Sequence, residues 1–171
     1  MRFKSAILLV LILCLTSANA QRPSAQSASK DLESRADAFR SQQDYVSAAT
    51  LYREALRKTP KNAVVWNKLG MTELVIGAGA QGFERTTRFS SARQDFERAV
   101  KLKPDYAGAF NNLGVVYYQL GDYHKAIRRY KSALSIRDSA SFHSNLGSVY
   151  FAQKKLPLAM KEYMLALQLD P

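Results

Sequence analysis

Residues 110–134 read FNNLGVVYYQLGDYHKAIRRYKSAL, and this stretch decides the fold. Apolar side chains recur at helical spacing over residues 113–120 and again over 126–134. Between the two runs stand Gly121 and Asp122, a pair typical of a turn that ends one helix and caps the next. The stretch therefore predicts two antiparallel helices joined by a short turn.

This helical pair recurs along the chain. In each of four units the second helix carries an alanine, and an aromatic residue follows it four positions later: Ala48/Tyr52, Ala92/Phe96, Ala126/Tyr130 and Ala159/Tyr163. The successive intervals of 44, 34 and 33 residues give a period near 34, which indicates a repeat array. Because one interval is longer, the second unit contains an insertion of ten residues.

The first helix of each unit carries a second recurring motif. It reads Trp66-x-x-Leu69-Gly70 in the second unit, Phe110-x-x-Leu113-Gly114-x-x-Tyr117 in the third and Leu146-Gly147-x-x-Tyr150 in the fourth. Together these motifs resemble the tetratricopeptide repeat (TPR) family over residues 29–171. Three positions depart from the family pattern, namely Arg35, Glu73 and His143.

The resemblance implies an all-α fold, an α-solenoid in which about eight antiparallel helices stack as a right-handed superhelix. We expect repeats at about 29–62, 63–106, 107–139 and 140–171. The expected helices are 29–42, 45–59, 63–76, 88–103, 106–120, 123–137, 140–153 and 156–170. Residues suited to cap them are Asp44, Asn62, Asp105, Asp122 and Ser139.

The N-terminus has the three parts of a secretory signal peptide. Arg2 and Lys4 form a positive region, residues 6–15 are an unbroken apolar run, and Ala18-x-Ala20 is a small-residue cleavage site. The apolar run is shorter than the roughly 20 residues that a membrane-spanning helix needs. We therefore predict a cleaved signal, with an uncleaved anchor as the alternative.

Removal of this signal peptide, residues 1–20, changes the composition. The net charge falls from +11 to +9, because Arg2 and Lys4 are lost and no acidic residue is. The single cysteine, Cys14, is also lost, which excludes a thiol enzyme and a disulfide framework. Residues 21–28, rich in Ser, Ala and Gln, are expected to form a flexible linker. We expect the mature protein to be periplasmic or secreted, in a bacterium.

One segment has the spacing of a cofactor motif. Residues 77–82, GAGAQG, match the dinucleotide-binding pattern G-x-G-x-x-G, which requires a strand before it and a βαβ unit around it. The residues before it continue the Trp66 helix, so we interpret 77–87 as a flexible loop with a potential role in partner contact. His124 and His143 lack metal-ligand spacing. We expect no cofactor, no metal site and no enzymatic activity.

The resemblance implies that the first helices of the repeats line a concave groove that binds an extended peptide or protein segment. The corresponding partner-binding residues are Asn67, Met71, Asn111, Asn112, Val115, Tyr118, Gln119, Ser144, Asn145, Ser148 and Phe151. For Asn112 and Asn145, bonding between neighbouring helices is an equal alternative. The Lys/Asn/Asn/Lys/Arg carboxylate clamp of TPR co-chaperones is not expected. Its positions hold Asn67, Met71, Asn112, Ser141 and Asn145.

The resemblance places the second helices on the convex back, where basic residues concentrate. The expected basic face consists of Arg93, Arg98, Lys125, Arg128, Arg129 and Lys131. Such a face is either an ordinary solvated surface or a docking site for an anionic envelope surface or acidic partner. Nucleic acid is not expected as a partner, because export separates the protein from it.

The last helix is expected to present an apolar face that includes Met164, Leu167 and Leu169. Either further chain covers this face or it docks on something, which in the case of a second copy would give self-association. The sequence as a whole predicts an exported, non-enzymatic TPR scaffold that binds a protein or peptide partner in its groove. The alternative is an accessory module that docks through its basic back.

Overall fold

The computed structural model describes residues 24–170, so the predicted signal peptide lies outside the described residues. These residues form eight α-helices and no strand. The helices are α1 (Ala25–Ser41), α2 (Tyr45–Lys58), α3 (Ala63–Gly79), α4 (Gly82–Leu102), α5 (Ala107–Gln119), α6 (Tyr123–Ile136), α7 (Ala140–Ala152) and α8 (Leu156–Leu169). The all-α, eight-helix prediction is confirmed.

Four of the five predicted residues stand at a helix N-cap, and three of them make a side-chain cap bond. Asp44 and Asp122 accept hydrogen bonds from the backbone N–H of Ser47 and Lys125, both at 3.1 Å, and Asn62 caps α3 in the same way. The prediction for Asp105 is wrong, whereas Ser139 stands at the N-cap of α7 as predicted but makes no side-chain cap bond. Tyr106 stands at the N-cap of α5 without a side-chain bond, and the Ser139 hydroxyl pairs with the Ser141 hydroxyl instead.

The predicted linker is wrong over its last four residues. Helix α1 begins at Ala25, four positions before its expected start, and the Ser24 hydroxyl accepts a hydrogen bond from the Ser27 N–H at its N-terminus. Ser29 then anchors this helix to α2, since its buried hydroxyl donates to the Ala55 carbonyl at 3.1 Å. A capping serine followed by helix-compatible residues therefore outweighs the linker-like composition.

The helices pack in chain order, as in a solenoid. Each odd-numbered helix (A helix) pairs with the even-numbered helix that follows it (B helix), and each B helix then packs on the next A helix. Successive A helices also contact one another, α3 with α5 and α5 with α7, whereas successive B helices in the described chain have no contact of that extent. The A helices consequently lie on the inner side of the curve and the B helices on the outer side.

A glycine in the A helix sets the spacing within three repeats. At each of these glycines a β-carbon would lie within 2.9 Å of an aromatic ring on the paired B helix: Gly70 against Phe96, Gly114 against Tyr130, and Gly147 against Tyr163. In the first repeat the corresponding pair is Ala36 and Tyr52, both fully buried. The small residue lets the ring pack directly on the facing helix backbone, so the recurring Gly/aromatic pair is a packing requirement.

The insertion in the second repeat is helical, so its interpretation as a flexible loop is wrong. Helix α3 continues to Gly79, and α4 starts at Gly82, leaving only residues 80–81 between them. We call the protruding part, residues 76–88, the hairpin extension. Its first arm packs closely, because a β-carbon on Gly77 would lie 2.8 Å from the Phe89 ring. An i,i+4 ion pair between Glu84 and Arg88 supports its second arm.

This arrangement also removes the context that a dinucleotide site requires. The glycines of residues 77–82 stand in a helix–turn–helix, and no strand precedes or follows them within residues 24–170. None of the helices in that part of the chain is both long enough and apolar enough to cross a membrane.

We expect Gly114→Ala to lower the free energy of unfolding by about 1–3 kcal/mol, because the added methyl group would overlap the Tyr130 ring. Gly108→Ala in the same helix is the matched control. There the nearest atom is 3.6 Å away, and alanine should stabilise the helix by up to about 1 kcal/mol. Urea denaturation of both variants measures the difference. Equal effects at the two positions would contradict the packing role of Gly114.

Candidate functional site

The inner face of the solenoid is built by the A helices α3, α5 and α7. The predicted groove residues recur there at equivalent positions of successive repeats, so the stack aligns them side by side. The structure divides them into two groups with different surroundings. One group is polar and bonded between helices, and the other is apolar and ranges from partly buried to exposed.

The polar group forms a ladder of amides between A helices. The Asn112 side chain donates to the Asn67 carbonyl oxygen at 3.0 Å, and Asn145 donates to Asn111 at 2.9 Å. Asn67 is buried and also donates to the Tyr106 hydroxyl at 3.3 Å. For Asn112 and Asn145 the structure therefore shows the inter-helix bonding that the sequence left as an alternative. These amides hold neighbouring repeats in register.

The apolar group crosses all three helices. We call it the apolar band, and it consists of Met71, Leu74 and Val75 on α3, Val115 and Tyr118 on α5, and Phe151 on α7. Phe151 is 61% exposed and Val75 is 43% exposed, while the other four members are partly buried against the core. The Tyr118 ring is fixed by a tilted contact with Tyr123, with ring centroids 5.8 Å apart. The exposed side chains of Val75 and Phe151 make this part of the inner face a candidate interaction surface.

The remaining predicted groove residues lie beside the band. Gln119 is exposed at the end of α5, and its carbonyl oxygen accepts a long, 3.5 Å hydrogen bond from Arg85 of the hairpin extension. Ser148 is bonded within the protein, donating to the Ser144 carbonyl oxygen at 2.9 Å and accepting from the Tyr163 hydroxyl at 3.3 Å. Of these polar side chains, Gln119 is the one the structure leaves exposed on the groove.

The charge on this face is neutralised internally. Lys68 on α3 bonds to Glu33 at 2.7 Å and to Asp37 at 2.6 Å, both on α1. Desolvation raises the pKa of Asp37, but the hydrogen bonds from Lys68 and Tyr52 and the positive charges of Lys68 and Arg40 together outweigh it, so the pKa is lowered overall. Helices α5 and α7 contain no lysine, arginine, aspartate or glutamate. The part of the band on α5 and α7 therefore lies on helices without lysine, arginine or carboxylate side chains.

A cleft of about 320 Å³ adjoins the N-terminal edge of the band. Met71, Thr72 and Val75 form one wall, and the end of α1 with Tyr45 forms the other. The Arg40 side chain lies in this second wall, 3.9 Å from an Asp37 carboxylate oxygen. The inner face thus changes from apolar on α3 to charged on α1.

The predicted basic face lies on the B helices, and half of its members are already engaged. Arg93 pairs with Glu97 at 3.2 Å, Arg98 stacks over the Trp66 ring, and Lys125 pairs with Asp122 at 2.6 Å. Arg129 is partly buried, whereas Arg128 and Lys131 are exposed. The exposed basic area on α6 is consequently smaller than the sequence suggests.

Sequence analysis missed a buried charge cluster at the root of the hairpin extension. Glu73 is fully buried and pairs with Arg53 of α2 and with Arg88 of α4, the latter at 3.2 Å. Asp95 stands nearby, and desolvation together with the negative charge of Glu73 raises its pKa to about 7. The signal in the sequence was the departure of Glu73 from the aromatic pattern, but its partners could not be identified without the fold.

Comparisons with known proteins identify the repeat. Family models described as TPR repeat match residues 88–121 and 116–154, and models described as tetratricopeptide repeat match residues 20–63, 33–81 and 140–171. Together these matches cover the described chain except residues 82–87, which belong to the insertion in the second repeat.

Two curated proteins illustrate the relatives. The Hsp70-Hsp90 organizing protein of Triticum aestivum is 28% identical over 93 residues, which are 54% of this chain and 14% of that protein. The peroxisomal targeting signal receptor of Eremothecium gossypii is 28% identical over 100 residues, 58% of this chain and 16% of that protein. The chain therefore spans only a small part of the length of these relatives.

Solved structures share the fold at lower identity. MamA 41-end from Desulfovibrio magneticus RS-1 superposes with a TM-score of 0.73 at 20% identity, covering 83% of this chain and 75% of that one. The first TPR of Spaghetti (RPAP3), bound to the HSP90 peptide SRMEEVD, gives a TM-score of 0.65 at 18% identity and covers 75% and 95%. At these identities the likeness shows the architecture alone.

The raised pKa of Asp95 predicts a pH-dependent stability. Because the folded protein holds this proton up to about pH 7 and the unfolded chain releases it near 3.8, the contribution of Asp95 to stability falls as the pH rises between these values. We expect Asp95→Asn to raise the free energy of unfolding at pH 8 by about 1–2 kcal/mol and to have little effect at pH 4.

Denaturant unfolding of wild type and Asp95→Asn across pH 4–8 measures this difference. The matched control is Asp105→Asn, which changes an exposed aspartate and should leave the wild-type curve unaltered. Parallel curves for wild type and Asp95→Asn would contradict the assignment.

Proposed function

Because this chain belongs to the tetratricopeptide repeat family, we propose that it is an exported, non-enzymatic scaffold that captures an extended segment of a protein partner on its inner face. The observation that carries the proposal is the apolar band, which crosses three consecutive A helices and leaves Val75 and Phe151 exposed on the inner face. Its TPR relatives support a peptide-binding or protein-binding role, since one is a targeting signal receptor and another is bound to an HSP90 peptide.

The mechanism that we propose is passive. The band exists before the partner arrives, because its side chains sit on helices that the Asn67–Asn112 and Asn111–Asn145 bonds hold together. A preformed surface saves the ordering cost that a flexible one would pay on binding. The rigid stack would then place the captured segment in a larger assembly at the cell envelope, and no chemical step is required.

We expect the double variant Tyr118→Ala, Phe151→Ala to lose partner capture with little dependence on salt, because apolar contacts are not screened by ions. Photo-crosslinking from position 118 in native cells, followed by mass spectrometry, identifies the partner, whose binding to each variant is then measured. The matched control is Phe83→Ala, which removes an aromatic ring that is 87% exposed but lies on the hairpin extension. Unimpaired capture by the double variant would refute the proposal that the partner binds in the groove.

The exposed basic residues of α6 support a second function, docking on an anionic envelope surface or acidic partner. Arg128 and Lys131 lie one turn apart on the same helix and both reach solvent. In this case Arg128→Glu with Lys131→Glu would abolish envelope association, moderate salt would also release the protein, and the groove variant would behave as wild type.

The proposal that the protein is exported rests on the N-terminal sequence and can be tested directly. We expect N-terminal sequencing of the protein isolated from its native cells to begin at Gln21, because Ala18-x-Ala20 precedes it. Ala20→Arg should leave the precursor uncleaved, whereas Gln21→Ala, outside the small-residue site, should be processed normally. An intact N-terminus in the cytoplasm would refute export and leave the groove proposal untouched.

A further inference from the structure

The last helix, α8, carries an apolar stripe that the described chain leaves uncovered. Its four residues are spaced by four, four and three positions, so they lie on one side of the helix. They are Leu156, Met160, Met164 and Leu167, and each is between 52% and 64% exposed. We call these four residues the terminal stripe.

The other side of α8 is attached to the rest of the fourth repeat. Ala159 is buried, and the Tyr163 ring packs against Gly147 of α7. The Glu162 carboxylate pairs with the His143 ring at 2.6 Å. These contacts hold the terminal stripe in a fixed position, so its exposure does not come from a loosely attached helix.

Two positions of the stripe are covered in the preceding repeat. Ile127 and Leu134 of α6 stand 33 residues before Met160 and Leu167, and both are partly buried. Helix α7 packs on α6, and Leu134 packs against the cluster that contains Phe142 of α7. The terminal stripe therefore corresponds to a surface that covers itself with a helix elsewhere in the array.

Met164 distinguishes the occupant of the stripe from the A helix of a further repeat. The residue after the recurring aromatic is charged in the first three repeats, where it is Arg53, Glu97 or Lys131. It is charged although a following A helix packs on each of these three B helices. A following A helix thus requires no apolar residue here. An occupant that covers the whole stripe does, and in the fourth repeat this position holds an exposed methionine.

The first helix of a second copy is a poor occupant, because its free side is charged. Arg35 of α1 pairs with Asp31 at 3.7 Å, and both side chains are exposed. The equivalent positions of the later A helices hold buried apolar residues, namely Val65 and Leu69, Ala109 and Leu113, and Phe142 and Leu146. Burying the Asp31–Arg35 pair on the stripe would cost its hydration without a compensating charge there. Head-to-tail stacking of copies is therefore unfavourable.

The stripe is complementary to itself when two α8 helices run in opposite directions. If Leu156 of one copy faces Leu167 of the other, the same register places Met160 opposite Met164. The intervals of the stripe are nearly the same in both directions, which makes this match possible. Successive helices of the array also run antiparallel, so a second α8 would take the direction that a following helix has within the array.

The charges at the ends of α8 favour the same direction. Lys154 and Lys155 directly precede the helix, Asp170 directly follows it, and all three are exposed. An antiparallel pair places these lysines near Asp170 of the second copy, whereas a parallel pair would place lysines beside lysines. Charges of this kind fix orientation more than affinity. Lys161 stands about 100° around the helix from Met160, at the edge of the stripe.

We propose that the terminal stripe binds the terminal stripe of a second copy, which gives a symmetric dimer with the two α8 helices antiparallel. Because both copies use the same surface, the interface is closed and assembly stops at two. The interface lies at the end of the array, so this inference is independent of the groove proposal. Each dimer would carry two inner faces, and a partner with two binding segments would gain affinity from binding both.

The first test measures mass. Analytical ultracentrifugation of the chain from Gln21, which contains every described residue, should give a dimer at about 100 µM and a monomer on dilution. Met160→Glu with Met164→Glu should be monomeric at that concentration, because the interface would bury unpaired charges. Their far-UV circular dichroism should match wild type, since both side chains are exposed in one copy. The matched control is Leu158→Glu, an exposed position about 160° around α8 from Met160, which should remain dimeric.

The second test measures direction by disulfide formation. The chain from Gln21 has no cysteine of its own, since Cys14 precedes it. Mixing a Leu156→Cys chain with a larger, tagged Leu167→Cys chain should give a covalent heterodimer. Either variant alone should not cross-link, because its two thiols would lie about 16 Å apart along the helices.

Several outcomes would overturn the proposal. These are a wild type that is monomeric at the high concentration, a glutamate variant that still dimerises, and single-cysteine chains that cross-link as readily as the mixture. Assemblies larger than a dimer would assign the stripe to a different contact. Cross-linking of Leu156→Cys to another protein in native cells, in place of a second copy, would assign it to a different partner.

Discussion

The close approach of two helices within each repeat is the constraint on which the rest of the structure depends. Gly70, Gly114 and Gly147 bring the B-helix aromatic ring onto the A-helix backbone. This contact fixes the depth of each repeat and leaves the inner A helices close enough to touch one another. The amide ladder and the apolar band both require that proximity, since each is built from side chains on separate A helices.

The residues of the inner face have two different roles, alignment of the repeats and contact with solvent or a partner. Sequence alone could not assign each residue to one of these roles. The asparagines bond across the helices and keep the repeats aligned, while Val75, Tyr118 and Phe151 remain available on the surface. Polar residues in a groove are thus a weak guide to ligand contact when their own neighbours can satisfy them. The exposed apolar residues are the better guide, because nothing in the described protein covers them fully.

Features that repeat were predictable, and features that occur once were not. The helix pairs, the Gly/aromatic contacts and the caps at Asp44, Asn62 and Asp122 follow from local patterns seen several times. The insertion occurs once and contains glycines that usually mark a loop. Its helicity depends on tertiary contacts, such as that between the Phe89 ring and Gly77. A tertiary contact of this kind leaves no pattern in the local sequence. The same holds for the raised pKa of Asp95, which depends on a residue from another helix.

The Glu73 cluster connects the two features that distinguish the second repeat, a glutamate at an aromatic position and the insertion. The equivalent positions of the third and fourth repeats hold Tyr117 and Tyr150, and neither repeat has an insertion. Glu73 is buried at this position between Arg88, which ends the hairpin extension, and Arg53 of α2. Deleting the extension would remove one of the two arginines that neutralise this buried carboxylate, and replacing Glu73 by tyrosine would leave Arg88 paired with Glu84 alone. The second repeat is therefore not interchangeable with its neighbours, because its two departures from the pattern meet in one ion-pair cluster.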